Sequence, residues 1–256
     1  MINNGVKEQK ILFSIITVTL NNINGLKKTY NSIKEQSHHD FEWLIIDGGS
    51  DDGSHEYLDS INVHYLSEKD KGIYDAMNKG IKRASGQYYI FMNAGDAFEA
   101  NHTLGELFKR LEGKPCDFIY GDAAEDIDGK IYFKRARPHY KINQGMFTHH
   151  QAMIYNQSLF QSLKYNQDFE IAADYDLTWR ALNKAKNILY VPFPICLFEA
   201  GGISQKRTLQ GRIEQYKIRK NHGVVLYKRL WIFIKQSAVY ALRLIAPRLY
   251  WLLKSR

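Results

Sequence analysis

The chain is poor in several features that would place a protein quickly. It has only two cysteines, Cys116 and Cys196, far apart and without ligand spacing. That excludes a disulfide framework or a cysteine metal site, suits a reducing compartment, and reads as two small buried side chains. Proline is scarce at 5 residues, and 45% hydrophobic with 24% charged residues excludes a disordered chain. No long uninterrupted apolar run occurs. The most apolar stretch, 227–253, is broken by Lys235, Arg243 and Arg248, too many charges for a comfortable membrane span. Met1 to Lys10 is polar and Ile11 to Leu20 is a short strand-like run without a cleavage site, so no secretory leader is expected. No G-x-G-x-x-G follows the first strand and no G-x-x-x-x-G-K-[ST] occurs, which argues against dinucleotide-binding Rossmann and P-loop enzymes. The acidic turn Asp47 to Ser54 lacks the alternating acids and closing Glu of an EF-hand. There is no internal repeat and no low-complexity segment.

Acidic charge is also missing from one end. The net charge of +8 divides into 13 Lys+Arg against the single acid Glu214 from Lys206 to Arg256, and 22 basic against 26 acidic residues elsewhere. A mildly acidic body with a strongly basic tail suggests a polyanionic surface as partner for the tail alone.

The body alternates β and α segments. Ile11 to Thr19 reads as a strand, with Leu26, Tyr30 and Ile33 following at helical spacing. Phe41 to Ile46 and Val63 to Leu66 are further strands, Ile73 to Ala84 is a helix, and Gln87 to Met92 is a buried parallel strand running into the turn Asn93 to Asp96. This alternation predicts a doubly wound, mostly parallel sheet. Ligands in such sheets sit beyond the carboxyl ends of the strands, which places Asp96 at a ligand site; the bland alternative makes Asp96 the cap of a helix over Phe98 to Leu111. The glycine-rich turn Asp47 to Ser54 reads as a strand-to-helix joint whose carboxylate meets a ligand. Further on, Ile127 to Phe133 suggests a hairpin with an Asp-Gly turn, Ile171 to Leu182 a helix beginning at its acids, Ile188 to Val191 a last strand, and Gly201 to Ser204 a flexible loop.

Five stretches taken together carry a resemblance: Ser14 to Asn21, Asp47 to Ser54, Gly72 to Gly80, Asn93 to Asp96, and Ala173 to Leu177. In this order, across roughly residues 11 to 205, they resemble the family 2 glycosyltransferases of GT-A fold, which use nucleotide-diphosphate sugars. The run Ser67 to Gly80 looks like the subgroup that builds bacterial capsule, exopolysaccharide or lipopolysaccharide chains. The resemblance implies an α/β, Rossmann-like, mostly parallel sheet flanked by helices. It divides the chain into a GT-A domain over 11–205 (a nucleotide-sugar half, about 11–100, and an acceptor half, about 101–205) and a basic amphipathic helical tail, 206–256. It implies that Thr17 and Val18 edge the nucleotide base, that Asp47 accepts from the uracil N–H, and that Lys71, Asn78 and Asn93 contact the diphosphate or donor sugar. Asp96 would hold Mg²⁺ or Mn²⁺, a hard ion suited to oxygen ligands. Asp174 matches the family's catalytic base in a single inverting displacement, with a helix-terminal carboxylate as its bland alternative. His150 and Asp176 would lie on the acceptor side; Asp176 is the rival base or an orienting residue, His150 is otherwise packing, and Tyr74 and Asp75 are further candidates. The sequence departs from the D-x-D signature of many relatives, since in Asn93-Ala94-Gly95-Asp96 only Asp96 is acidic.

In the tail, Lys228, Arg229, Lys235, Arg243 and Lys254 fall on one broad helical sector and Pro247 should break the helix. Cations on one face with Trp, Phe and Leu elsewhere describe a helix lying on an anionic membrane through 228–256; the alternative is a helix packed on the body or on a second subunit. No nucleic-acid motif is present. The expectation is a UDP-sugar donor, a lipid-linked or growing saccharide as acceptor, and a peripheral position on the cytosolic face of the inner membrane. The competing class is a non-catalytic membrane-associated binding protein that retains a sugar-nucleotide fold.

Overall fold

The computed structural model describes residues 11–127, 129–199 and 201–245. Strand β1 (Phe13–Thr19) is buried at all seven positions, as its run of β-branched and aromatic residues requires. The chain continues through α1 (Ile23–Lys34), β2 (Phe41–Asp47), α2 (Ser54–Ser60), β3 (Tyr65–Ser67), α3 (Ile73–Arg83), β4 (Tyr88–Phe91), β5 (Ala97–Phe98) and α4 (Thr103–Leu111). Then come β6 (Phe118–Ile127), β7 (Lys130–Lys134), β8 (Met153–Asn156), α5 (Ala173–Lys184), β9 (Ile188–Glu199), α6 (Ile203–Lys206), α7 (Thr208–Asn221) and α8 (Leu226–Ile245).

The strands form one sheet in the order β3-β2-β1-β4-β8-β6-β9-β5, with β7 paired to β6. The first half, β3-β2-β1-β4, is parallel, with Thr19 opposite Asp47 and Asp47 opposite Ser67 at its carboxyl edge. From β8 onward direction alternates: β4/β8 and β8/β6 are antiparallel, β6/β9 parallel, and β9/β5 antiparallel. The doubly wound expectation therefore describes the first half, and the sheet as a whole is mixed. The strand β8 enters between β4 and β6 and runs against both, which breaks the parallel series.

Several boundaries moved. Asp96 caps no helix; β5 follows it, and α4 begins at Thr103 after His102. The last strand runs to Glu199, well past Val191, and the expected loop after Gly201 contains the short helix α6. The hairpin over Ile127 to Phe133 is present, with Ile127 opposite Lys130; Asp128 of its turn lies outside the described residues. The sheet packs a large cluster on one face, including Ile16, Met77, Phe91, Tyr155, Tyr175 and Ile218, and a second on the other, including Phe13, Ile15, Ile90, Leu104 and Ile195. Ile218 belongs to α7, so the region beyond 205 contributes to the core of the body rather than standing apart from it.

Candidate active site

The carboxyl edge of the parallel half opens on a cavity of about 590 Å³. Val18, Thr19 and Leu20 from the end of β1, Asp70 to Tyr74 at the start of α3, Asn93, Phe169, Glu170 and Arg207 line it. Gly72 stands at φ +119°, a region that side chains resist, and its carbonyl accepts from the amides of Asp75 and Ala76 at 3.0 and 3.3 Å. This turns the first N–H groups of α3, with Lys71 beside them, toward the cavity; a helix amino terminus of this kind favours an anion. Thr19 Oγ1 and Asn93 Oδ1 are buried without a hydrogen-bond partner among the described residues, and both residues line the cavity. Buried polar atoms are rarely left in that state unless a ligand or solvent completes them.

Asp174, in the first turn of α5, is half-buried and lines a second cavity. Its Oδ1 accepts from the Tyr175 amide at 2.8 Å and from the Tyr74 hydroxyl at 3.4 Å, and Tyr74 also donates to the Ile171 carbonyl at 2.7 Å. His150 Nδ1 is 3.7 Å from Asp174 Oδ2, and His150 Nε2 is 3.4 Å from Asn93 Nδ2. Burial pushes the Asp174 carboxyl up to about 6 and the His150 imidazole down to about 3. At neutral pH the histidine is therefore neutral and the carboxylate ionised, but only by about one unit. That is the range in which a carboxylate takes a proton effectively.

The sequence-derived residues separate into two groups. Val18, Lys71 and Asn93 line the first cavity, with Tyr74 and Asp75, and His150 joins Asn93 to Asp174. Thr17, Asp47, Asn78 and Asp176 do not line it. Thr17 Oγ1 is occupied by the indole N–H of Trp43 at 2.9 Å. Asp47 is wholly buried and is consumed by its own turn: it accepts from the amides of Gly49 and Ser50 and the hydroxyls of Ser50 and Ser67, with His55 Nε2 at 3.0 Å. Burial works to raise its pKa, but those donors outweigh it and hold Asp47 below the ordinary carboxylate range. Asp47 thus turns inward to its own turn, whereas Asp70, which was missed, lines the cavity. Asn78 clips the backbone of Tyr165, accepting its amide at 2.8 Å and donating to its carbonyl at 3.0 Å. Asp176 faces Arg180 at 2.7 Å and His222 at 3.7 Å, an anchor between α5 and the end of α7 rather than an acceptor contact.

Asp96 sits behind Asn93. Its Oδ2 accepts from Gln151 Nε2 at 2.5 Å and its Oδ1 from the Glu199 amide at 3.1 Å, while Thr29 donates to its carbonyl at 2.6 Å. Burial raises its carboxyl to about 7. Gly95, at φ +106°, lets the Glu199 carboxylate lie directly over the turn. Among the described residues no three His, Cys, Asp or Glu side chains come together as a metal group. The residues nevertheless fit a cation held mainly by its ligand's phosphates: each oxygen of Asp96 keeps an unused lone pair, and Asn93, which lines the cavity three residues before it, carries a buried Oδ1 without a partner among the described residues.

One anchor had no signal in the sequence. Glu214 of α7 is buried, and its carboxylate accepts from the amides of Glu170, Ile171 and Ala172 at 3.2, 2.9 and 2.8 Å. It holds the segment that walls both cavities and starts α5. Only the lone acid in a basic tail hinted at it.

Two variants test these assignments. Asn78→Ala should leave both Tyr165 backbone groups buried and unpaired, lowering stability by about 2–3 kcal/mol with nucleotide affinity unchanged, by urea unfolding and ligand titration. Glu214→Ala should lower stability by a similar amount and depress turnover at every pH, whereas Glu214→Gln, which keeps an acceptor oxygen, should recover most of both.

Comparison with known proteins follows the same lines. The family description "Glycosyl transferase family 2" matches residues 14–187. A PGL/p-HBAD biosynthesis glycosyltransferase of Mycobacterium tuberculosis (strain ATCC 25618 / H37Rv) is 33% identical over 217 residues, covering 75% of this chain and 79% of that protein. A Bacillus subtilis (strain 168) protein named for a glycosyltransferase role in teichuronic acid biosynthesis is 34% identical over 118 residues, 43% of this chain and 46% of its own. Among solved structures, S. aureus TarS 1–349 in complex with UDP-GlcNAc superposes with a TM-score of 0.69 at 16% identity, covering 81% of this chain; this chain spans 64% of that one. The mannosyltransferase PcManGT from Pyrobaculum calidifontis, in complex with GDP-Man and Mn²⁺, gives 0.65 at 14% identity, with coverage of 97% and 80%. At such identities the structural likeness speaks for the fold alone, which is GT-A. The chain belongs to glycosyl transferase family 2 and is a glycosyltransferase enzyme.

Proposed function

We propose that this enzyme moves a sugar from a nucleotide-diphosphate donor, a UDP-sugar, to a hydroxyl of a lipid-linked or growing saccharide in bacterial surface polysaccharide synthesis, with inversion at the anomeric carbon. The observation that carries this reading is the position and state of Asp174: an ionised, desolvated carboxylate lining one cavity while its hydrogen-bond partner Tyr74 lines the other. The names of the relatives, one tied to PGL/p-HBAD and one to teichuronic acid biosynthesis, support a glycan-building role.

In this reading the first cavity takes the donor. The base lies against Val18, Thr19 and Leu20 with Asp70, whose Oδ2 is free of Lys79, as an acceptor for a base N–H, and the diphosphate faces the amino terminus of α3, Lys71 and Arg207. Asp174 takes the proton of the acceptor hydroxyl as its oxygen bonds to the anomeric carbon; the bond from that carbon to the diphosphate oxygen breaks and the electron pair leaves with the nucleotide. One displacement inverts the centre. Tyr74 and the neutral His150 orient the carboxylate without competing for its proton. Asp96 and Asn93 would hold a Mg²⁺ or Mn²⁺ ion, which when bound offsets the charge gathering on the leaving diphosphate.

The outward face of α8 supports a peripheral membrane position. Leu226, Leu230 and Ile234 recur at four-residue spacing and are exposed, with Tyr227 beside them and Lys228 nearby. No helix of the described residues is long and apolar enough to cross a membrane. Arg243's side chain, Pro247, Arg248 and Lys254 lie outside the described residues.

Two measurements test the reading. A thermal-shift screen of UDP, GDP, dTDP and CMP, each with and without Mn²⁺, should give the largest shift for UDP with metal, about 2.7 kcal/mol of stabilisation at a hundredfold excess over Kd; no shift with any nucleotide would remove the donor site. Asp174→Asn should cost about 10²- to 10⁴-fold in kcat. The wild-type rate should rise with pH through about 6 as the carboxylate ionises. Because the folded-state pKa of Asp174 is raised above the unfolded value, its stabilising contribution is present below about 4 and lost as pH rises through about 6, so the Asn variant should melt higher than wild type at pH 7.5.

A further inference from the structure

The second cavity, about 470 Å³, lies between the start of α5 and the helices α7 and α8. Its charge is lopsided. Arg137, Arg212 and Lys235 line it against one carboxylate, Asp174, and Trp231 and Val239 supply an apolar wall. The cations are not spent on acids. The Arg212 guanidinium rests 4.8 Å from the centre of the Tyr240 ring, and the Lys235 ammonium 5.1 Å from that of Trp231. No carboxylate of the described residues pairs with either. The Arg137 guanidinium donates to the carbonyls of Gly145 and Met146, at 3.3 and 2.7 Å, and to no carboxylate of the described residues. Burial lowers the Arg212 pKa, the mark of a cation partly stripped of water without an anion in return. Gln236, on the same wall, carries a buried Oε1 with no partner among the described residues.

Three unpaired cations, two with the planar fork that suits tetrahedral oxyanions, stand beside an apolar, aromatic surface and the carboxylate that receives a proton. A carboxylate ligand would match the charge of one of them; a phosphate matches the set. We propose that this cavity is an acceptor subsite for a phosphate-bearing amphiphile: Arg212, Lys235 and Arg137 take the phosphate, Trp231 and Val239 take the start of the apolar chain, and Gln236 Oε1 accepts from a hydroxyl of the group presented to Asp174. The binding site stands on its own lining; its role as acceptor subsite rests on the transferase reading above. The region beyond residue 205 is then part of substrate recognition, outside the stretch shared with the family description.

The test uses the full chain and dodecyl phosphate, below its micelle threshold, as the probe. Trp231 fluorescence reports binding, with Trp231→Phe as the control that removes the signal. Dodecyl phosphate should bind at least tenfold more tightly than dodecanoate, dodecyl maltoside or inorganic phosphate. Binding should weaken with salt, and should fall at least tenfold in Lys235→Gln and further in Arg212→Gln/Lys235→Gln. The thermal shift with UDP should be unchanged in both variants, which shows that they fold. Equal binding of dodecyl maltoside would mean an apolar surface only, and equal binding of inorganic phosphate an anion site with no use for the chain. Equal binding of dodecanoate would mean no preference for phosphate, and a response only to phosphatidylglycerol vesicles a surface attraction; each of these overturns the proposal, as does unchanged affinity in the double variant. Dodecyl phosphate bound by a wild type that no nucleotide shifts would overturn the acceptor role together with the transferase reading, and leave a phosphate-amphiphile site.

Discussion

The grip of one carboxylate on three successive amides sets the position of nearly everything that matters for chemistry here. Glu214 reaches from α7 to the backbone of Glu170, Ile171 and Ala172, a clamp on the segment that leads into α5 and ends at its cap residue. Charge-assisted bonds to backbone amides are among the stronger polar contacts available, and a buried helix start without partners would be costly. Because that short segment walls both cavities and Asp174 follows it within two residues, the clamp fixes the distance between the two. Tyr74 then closes the arrangement from α3, bonding both the Ile171 carbonyl and Asp174.

The acids of this protein fall into two kinds, and the difference is in how many donors each receives. Asp47, Asp176 and Glu214 are surrounded by amides, hydroxyls or cations, so burial costs them little and they serve as joints. Asp174, half-buried, and Asp96, buried, have fewer donors, and their pKa values rise to about 6 and about 7. A carboxylate left short of partners in a dry place still has something to offer a proton or a cation. Donor count, more than acidity of the motif, sets these two kinds of acid apart.

That distinction also explains what could be read in advance. The run Gln87 to Met92 with its polar turn, the strand Phe13 to Thr19 and the helix Ile73 to Arg83 carry hydrophobic periodicity that survives in the fold. The helix that Asp174 opens was legible because acids mark its first turn. Asp47 and Asn78 were legible as positions but not as roles, since whether a side chain faces a cavity or its own backbone depends on a rotamer and on neighbours from distant segments such as Ser67 and Tyr165. The antiparallel half of the sheet was not legible, because short strands such as Met153–Asn156 and Ala97–Phe98 take their direction from pairing partners rather than from their own composition. Glu214 was hidden for the same reason: its three partners are more than forty residues away in sequence.

The clamp also sets a rule for recombining this protein with its relatives. The family description ends at residue 187, and a cut near residue 205 looks like the natural seam for exchanging the basic helices between homologues. Such a chimera would graft a foreign α7 onto a native 170–172 segment and separate two halves of one hydrogen-bonded unit. The exchangeable module is therefore discontinuous: 170–172 must travel with Glu214, and α8 with both, or Asp174 loses its footing along with the wall beside it.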